Sequence, residues 1–381
     1  MTGGTNHQND VFSILVDKTI ASLIHQRLIE ENLLDYRFKI KDIGKQVAIP
    51  IANLEQLKQL NWFDDSFIIE IVELEMKNTN QIPAQKIVSQ ISKFFKQNSM
   101  PITQKMLDNL PKKWEMFGDL AIIPNDSVNS LEWLRVIAND EPLTEKIWEI
   151  IAESINVSRI ARQAEIAGDK IRSSQVKMIK GDSGEVEFLD NGVKFWLDVT
   201  KVMFSSGNVT ERHRIGDIDM NGEVVVDAFA GIGYYTLPML VRSNAEYVYA
   251  CEMNPNSIMA LTRGAELNQV LDRLTIVEGD NKETLQSLSG IADRVHLGIL
   301  PSSQSTWKLA IDCLKATGGI IHIHMNVKES EIEDFSDYCV RELKQYAVNQ
   351  CGFENVSLQH VEKVKWYAPH IRHIVLDVAI Q

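Results

Sequence analysis

The sequence predicts an α/β protein in which a Rossmann-like, doubly wound sheet forms the carboxyl-terminal part and smaller α+β domains precede it. Two observations lead to this class. From Gly222 onward, short continuous apolar runs alternate with helical segments, which is typical of parallel strands buried on both faces. The chain also has 381 residues, of which 44% are hydrophobic and 24% charged, enough for two or three globular domains with sizeable cores.

The first hundred residues predict a small domain, placed at residues 1–105. Val11–Leu34 has helical apolar spacing, Ser66–Glu75 has the pattern of a strand, and Ile82–Phe95 returns to a helical pattern. No chemical motif stands out in this region. We expect either a docking role towards RNA or another partner, or a purely structural role.

Two prolines, Pro101 and Pro111, bracket the next boundary, and a middle domain is placed at residues 106–215. Leu120–Ile123 is predicted to be a buried strand. Leu143–Ala152 has apolar residues at three- and four-residue spacing, which predicts a helix.

The carboxyl-terminal domain is placed at residues 216–381. Its sheet is predicted from six apolar runs, at Val224–Val226, Tyr247–Ala250, Leu274–Val277, Val295–Leu300, Gly319–His324 and His373–Val378.

The charge balance restricts the class of partner. Acidic residues outnumber basic ones by 52 to 39, giving a formal net charge of -13, which argues against non-specific binding to DNA. The most basic window, Asn156–Lys180, has two interpretations that the sequence leaves open. It is either a surface that faces phosphates or an ordinary solvated edge of strand and helix.

Cysteine usage and the absence of apolar segments predict a cytoplasmic protein. The four cysteines form no C-x-x-C pair and no zinc-site spacing, so free thiols in a reducing compartment are expected. Residues 1–10 are polar, and the longest uncharged stretch, Ala228–Val241, is too short to span a bilayer.

The strongest local motif follows the first strand of the predicted sheet, where Asp227 ends the strand and Gly231 and Gly233 allow a tight turn beside a ligand. We therefore include Asp227 and Gly231 among the cofactor-binding candidates. A dinucleotide fold would have a third glycine where this chain has Thr236, so nothing in the loop requires a phosphate.

Acidic side chains at the next two strand ends indicate the kind of ligand. Glu252 is placed to hold both ribose hydroxyls of an adenosine ligand. Asp280 and Asn281 follow the third strand, where they can bracket an adenine ring. A nucleoside without phosphates fits these groups, and S-adenosylmethionine is such a molecule.

From about Trp114 to the end, the chain resembles the archaeal and eukaryotic tRNA guanine-37 N1-methyltransferases and their relatives. The match is to the branch of that family that builds wybutosine. The segments that carry the resemblance are Trp114–Pro124, Asp198–Arg212, Asp227–Gly233, Cys251–Pro255, Leu297–Ser303, His322–His324 and Tyr367–His370.

The resemblance implies five cofactor contacts, at Ser205, Arg212, Glu252, Asp280 and Asn281. The family usually has Lys where this chain has Arg212. Charge is kept there, but the contact geometry of the two side chains differs.

The segment after the fourth strand separates the branches of the family. The methyl-transferring branch carries Asn-Leu-Pro where this chain has Ile299, Leu300 and Pro301, and an isoleucine cannot form a hydrogen bond to guanine. The resemblance implies that Pro301 and Ser302 face the acceptor base.

The function implied is transfer of the 3-amino-3-carboxypropyl group of S-adenosylmethionine to a tricyclic guanine derivative in phenylalanine tRNA, beside the anticodon. Two alternatives stay open: guanine-37 N1-methylation, and a non-catalytic tRNA-binding protein. The expected partner is tRNA, with no membrane and no DNA.

Several polar residues have no fixed role at this stage. His322 and His324 share one face of a strand, but two histidines are an incomplete metal site, and we expect no metal. Glu211 is either a general base or the ion-pair partner of Arg212 or Arg214, so the catalytic residue is not identified.

Overall fold

The chain forms two compact units, Met1–Pro101 and Ile102–Gln381. The computed structural model describes residues 10–18, 20–31, 33–60, 62–64, 66–75, 83–138, 140–163, 174–203 and 206–381. The predicted boundary at 105/106 lies close to the division between the units. The predicted boundary at 215/216 falls inside the second unit and stays a prediction.

The first unit is built on a four-stranded antiparallel sheet. Its elements are β1 (Asp10–Asp17), α1 (Ala21–Glu30), β2 (Lys41–Ile43), β3 (Gln46–Pro50), α2 (Leu54–Leu57), β4 (Ile68–Glu73) and α3 (Pro83–Gln97). The strand order is β2-β3-β1-β4.

The predicted strand at Ser66–Glu75 and the predicted helix at Ile82–Phe95 are confirmed as β4 and α3. The helix predicted over Val11–Leu34 is wrong in its first part, which is β1. That segment pairs on one side with β3 and on the other with β4, so sheet pairing outweighs an apolar spacing that also suits a helix.

The second unit begins with a mixed sheet and a hairpin. Its first elements are α4 (Gln104–Asp108), β5 (Glu115–Phe117), β6 (Leu120–Ile123), α5 (Leu131–Ile137), α6 (Glu141–Ile155), β7 (Arg159–Arg162), β8 (Lys177–Lys180), β9 (Glu185–Asp190) and β10 (Val193–Asp198). The predicted strand and helix are confirmed as β6 and α6. Asp140 starts α6 by accepting a hydrogen bond from the backbone N–H of Leu143 (2.9 Å).

A seven-stranded sheet forms the rest of the unit. Its elements are α7 (Val209–Gly216), β11 (Val224–Asp227), α8 (Thr236–Val241), β12 (Tyr247–Glu252), α9 (Pro255–Leu267), β13 (Leu274–Glu278), α10 (Asn281–Thr284), β14 (Arg294–Leu297), α11 (Trp307–Cys313), β15 (Gly319–Lys328), α12 (Ile332–Cys351), β16 (Val356–Ala368) and β17 (Ile371–Ile380). The strand order is β13-β12-β11-β14-β15-β17-β16.

The Rossmann-like α/β class is confirmed, with one correction to the direction of the strands. β11 to β15 run parallel, as predicted, but β17 lies antiparallel to β15 and pairs with β16, a strand that the sequence analysis missed. A short turn joins β16 to β17, and only an antiparallel pair can be joined so tightly.

Both faces of this sheet are buried at its interior strand β11. On β11, Val225 belongs to an apolar cluster that includes residues of β9, β10, α8 and α9, whereas Val226 packs into a second cluster with residues of α11 and α12. The first cluster crosses the predicted 215/216 boundary, so β9 and β10 share their core with the sheet. Of the helices in the described part of the chain, none is long and apolar enough to cross a membrane.

Candidate active site

The carboxyl ends of β11, β12, β13 and β14 meet at a cavity of about 390 Å³, the edge of a doubly wound sheet where ligands bind. This volume lies in the range of small-molecule sites. Four predicted cofactor-binding residues line it: Gly231, Glu252, Asp280 and Asn281.

The carboxylate of Glu252 is held in place by backbone N–H groups. Oε1 accepts from Met253 (2.9 Å) and Asn254 (2.8 Å), and Oε2 accepts from Gly231 (2.7 Å). Burial raises the pKa of Glu252, while the three N–H donors act in the opposite direction.

This geometry refines the predicted role of Glu252. A carboxylate offers about four acceptor sites, and three are used by the backbone, so one site on Oε2 is left for a ligand. The expectation that Glu252 bonds both ribose hydroxyls is therefore reduced to one such bond.

Asp227 is not among the described residues that line the cavity, and its predicted contact with the cofactor stays a prediction. It is fully buried at the end of β11, where it accepts hydrogen bonds from Thr236 Oγ1 (2.7 Å) and from the backbone N–H of Phe229 (3.3 Å). Asp227 therefore stabilises the conformation of the glycine loop through these hydrogen bonds. Thr236, in the position of the missing third glycine, is its partner.

Gly233 is required by close packing as well as by its backbone. Its φ of +92° is in the region that favours glycine, and a Cβ there would lie 2.7 Å from Leu261 and 2.8 Å from Leu237. The loop can approach α8 and α9 only because this residue has no side chain.

Asp280 and Asn281 lie together at the end of β13. Asp280 Oδ1 accepts from the backbone N–H of Lys282 (3.0 Å), which caps α10, and no described residue bonds its second oxygen. Asn281 Nδ2 donates weakly to the carbonyl of Ala228 (3.3 Å). Both side chains thus keep an acceptor oxygen for the amino group of a base.

The segment after β14 brings Ile299 to the cavity lining, but not Pro301 or Ser302, which are exposed to solvent. Their predicted position facing the acceptor base stays a prediction. Beside them lies Asn326, a residue that the sequence analysis missed. Its backbone N–H donates to the carbonyl of Pro301 (3.0 Å), and both carboxamide atoms are buried without a hydrogen-bond partner among the described residues.

The two predicted contacts from the Asp198–Arg212 segment have different outcomes. Ser205 lies outside the described residues. Arg212 is buried, bonds Asp190 through Nε (2.6 Å) and lies over the ring of Phe195 (5.6 Å to its centroid), and it is not among the described residues that line the cavity. Its proposed contact with the methionine end stays a prediction.

A buried ion-pair network links α7 to β17. Arg214 donates to both oxygens of Glu211 (2.8 Å each) and to both oxygens of Asp377 (2.7 and 3.1 Å). Of the two roles considered for Glu211, pairing with Arg214 is the one observed, and burial raises the pKa of Glu211. Asp377 was missed, although an acid within an apolar strand was a visible signal.

The histidines belong to buried hydrogen-bonded chains. His322 contacts Asp377 (2.6 Å), and burial lowers its pKa to about 4. His324 contacts His296 (3.1 Å) through one ring nitrogen and His373 (3.0 Å) through the other, so the three rings form a chain with His324 in the middle. Within the described ranges, no three His, Cys, Asp or Glu side chains are arranged to hold a metal ion, and the expectation of no metal stays a prediction.

The basic window is partly structural. Arg159 forms an ion pair with Asp119 (2.6 Å), and Arg162 donates to the carbonyl of Ser127 (3.1 Å) and lies over Trp148. These two arginines are therefore used within the fold, which favours the interpretation of the window as an ordinary edge. Residues 164–173, which contain further basic residues, are outside the described part of the chain.

Comparison with protein families gives two adjacent matches. Residues 98–184 match a family described as the TYW2 N-terminal domain, and residues 186–362 match the TRM5/TYW2 methyltransferase domain.

Individual proteins match over most of the chain. The tRNA wybutosine-synthesizing protein 2/3/4 of Arabidopsis thaliana is 38% identical over 95% of this chain and 35% of its own length. The tRNA wybutosine-synthesizing protein 2 homolog of Danio rerio is 35% identical, with 87% of each chain covered. The chain thus spans about a third of the plant relative.

Among solved structures, the crystal structure of P. horikoshii TYW2 in complex with MeSAdo matches with a TM-score of 0.60 and 29% identity. The match covers 77% of this chain and 98% of that one.

Proposed function

The chain belongs to the TRM5/TYW2 family, and from this membership we propose that it transfers the 3-amino-3-carboxypropyl group of S-adenosylmethionine to 4-demethylwyosine at position 37 of phenylalanine tRNA. The relatives named tRNA wybutosine-synthesizing protein 2 support this acceptor. MeSAdo, bound to one solved relative, abbreviates methylthioadenosine, the nucleoside that remains when the arm is transferred.

The observation that carries the proposal is the chemistry of the cavity lining. Glu252 offers one carboxylate acceptor site to a ribose hydroxyl, and Asp280 and Asn281 offer acceptors to an adenine amino group. Lys282 is the one cation among the described lining residues, so the cavity holds no cluster of charges for a chain of phosphates. These groups fit S-adenosylmethionine.

The cavity wall nearest the acceptor segment supports transfer of the arm rather than of the methyl group. Ile299 lines the cavity where a methyl-transferring relative carries a residue that bonds guanine. An apolar side chain cannot orient guanine through a hydrogen bond. This favours the tricyclic acceptor over guanine.

In the mechanism, S-adenosylmethionine supplies a sulfonium: a bond forms from the acceptor base to the γ-carbon of the arm, that carbon's bond to sulfur breaks, and the sulfur leaves with the electron pair. The protein's task is placement. Glu252, Asp280 and Asn281 hold the nucleoside end, so that the arm and the base meet beside Ile299. The proton lost from the base passes to solvent water, because Glu211 is engaged by Arg214.

The proposal is tested by determining which isotopically labelled group of S-adenosylmethionine is transferred to the tRNA. The protein is incubated with precursor tRNA and S-adenosylmethionine labelled either in the methyl group or in the carboxyl group of the arm. We expect the tRNA to acquire the carboxyl label and not the methyl label. Transfer of the methyl label alone would mean that the protein is a methyltransferase, and binding of tRNA without transfer of either label would mean a non-catalytic binding protein.

A further inference from the structure

The hairpin arm, defined as residues 363–373 at the turn between β16 and β17, presents two aromatic side chains to solvent. Trp366 is 52% exposed and Tyr367 is 57% exposed. In the described part of Ile102–Gln381 no other aromatic side chain is as exposed, and Trp366 is the one exposed tryptophan of the seven in the chain. Large aromatic rings exposed to water are typical of contact surfaces for a partner.

One face of the Trp366 ring is already occupied. Arg372, directly opposite on β17, places its guanidinium 3.8 Å from the ring centroid. Arg372 is itself fixed by Glu329, which accepts from its Nε at 2.9 Å. The indole is therefore held against Arg372 before any partner arrives, and its exposed surface is a flat platform that loses little freedom on binding.

The backbone of the arm is unsuited to a partner that adds a strand. β16 is the edge strand of the sheet, yet its register with β17 shifts in three places, the last two within or at the border of the arm, between Lys363 and Lys365 and between Trp366 and Ala368. Bulges interrupt the row of hydrogen-bonding groups that another strand would need, and they redirect side chains. The exposed rings, rather than the strand edge, are thus the feature offered to a partner.

The charge of the arm favours an anionic partner. It contains three cations and no acid, in a chain whose formal net charge is -13. Glu329 is shared by Lys363 (2.9 Å) and Arg372, whereas Lys365 has no ion-pair or hydrogen-bond partner among the described residues. Burial lowers the pKa of Lys365, which packs so closely on Gly207 that a Cβ there would collide with it.

The arm lies next to the segment that follows β14. Lys365 is opposite His373, His373 is opposite Asn326 on β15, and the backbone N–H of Asn326 donates to the carbonyl of Pro301. One row of the sheet therefore connects the arm with the edge of the candidate active site. A polynucleotide whose base enters the site near Pro301 has its neighbouring nucleotides within reach of the arm.

We propose that the hairpin arm binds unpaired nucleotides of the RNA substrate adjacent to the modified one, with a base stacked on Trp366 and phosphates near Lys363 and Lys365. This inference rests on the proposed function in taking the substrate to be RNA. Any base can stack on an aromatic face. The arm therefore contributes to the affinity for the RNA and to its position on the protein, but not to sequence specificity.

The test measures binding of an RNA stem-loop with an anticodon-type loop, in parallel with a fully paired duplex. Trp366→Ala is expected to weaken stem-loop binding about 5- to 150-fold, the range for loss of one base stacked on an aromatic side chain, and to leave duplex binding unchanged. Trp366→Phe, which keeps a ring, is expected to restore most of the affinity. The control is Leu189→Ala, which removes an apolar side chain from β9 that is more exposed (67%) than Trp366 (52%).

Fluorescence gives a second, independent signature. The loop RNA is expected to quench tryptophan emission in the wild-type protein, and this component should vanish in Trp366→Phe although affinity is largely kept. Lys365→Gln is expected to lower the dependence of log affinity on log salt by about 0.7 for one lost phosphate contact.

Three results would overturn the inference: equal stem-loop affinity in wild type and Trp366→Ala, an equal loss for stem-loop and duplex, or an RNA-independent self-association that Trp366→Ala abolishes. The last would make the arm a protein-protein surface. Transfer of a methyl label in the activity test, with stem-loop binding still dependent on Trp366, would refute the proposed reaction and leave this inference standing.

Discussion

The sharpest single-residue prediction concerns Glu252→Gln. The change keeps the size of the side chain but replaces one carboxylate oxygen with an NH₂ group and removes the charge. Three of the four acceptor sites of Glu252 are used by backbone N–H groups, so one charge-assisted hydrogen bond to the ligand is at stake. Such bonds contribute about 1.5–3 kcal/mol, so the affinity for S-adenosylmethionine should fall about 10- to 150-fold.

The assay is titration calorimetry of S-adenosylmethionine, with the free energy of unfolding measured on the same sample. Glu278→Gln is the matched control, because Glu278 lies directly opposite Glu252 on β13, is exposed, and is outside the described cavity lining. Binding of tRNA should be unaffected by Glu252→Gln. An S-adenosylmethionine affinity within about twofold of wild type, in a folded protein, would refute the ribose assignment, because even the weakest bond in that range is worth about tenfold.

Three further predictions concern stability, each measured by denaturant unfolding. Gly233→Ala should destabilise the protein by about 1–3 kcal/mol, because its Cβ would overlap two leucine side chains; wild-type stability would contradict the close approach. Arg214→Leu should cost about 3–5 kcal/mol, because two largely buried carboxylates lose their shared cation, and a cost below about 1 kcal/mol would mean that the network is dispensable. Burial lowers the pKa of His322 and of His373 to about 4, below the ordinary value of 6.5, so the unfolded chain binds more protons between these values and stability should fall as the pH falls through this window. Each histidine adds a slope of up to about 1.4 kcal/mol per pH unit, and a flat profile between pH 6.5 and 4 would contradict their burial in the neutral form.

The parallel part of the fold could be predicted because strands buried on both faces consist of consecutive apolar residues. β11 to β15 were all located in this way. β16 was missed because it is an edge strand with one solvated side, and polar residues interrupt it. β1 was assigned to a helix because its pairing partners, β3 and β4, come from later in the chain. Its own sequence therefore does not show that it pairs with them.

In the candidate site, too, some residues could be predicted from the sequence and others could not. Glu252, Asp280 and Asn281 were identified because each follows a predicted strand, and the strand ends of a parallel sheet meet at one edge. Asp227 also follows a predicted strand, but its carboxylate accepts a hydrogen bond from Thr236 in the glycine loop, which its position at a strand end does not predict. The pairing of Arg214 with Asp377 joins distant parts of the chain, so no local sequence pattern predicts it.

The identity of the released nucleoside shows which group of S-adenosylmethionine the protein transfers. Purified protein is mixed with S-adenosylmethionine and tRNA that carries the tricyclic precursor, and the small products of a single turnover are separated by mass. We expect methylthioadenosine in an amount equal to the modified tRNA, and we expect none from the same mixture without tRNA. Release of S-adenosylhomocysteine in its place would contradict this expectation, because that product shows that the methyl group was transferred.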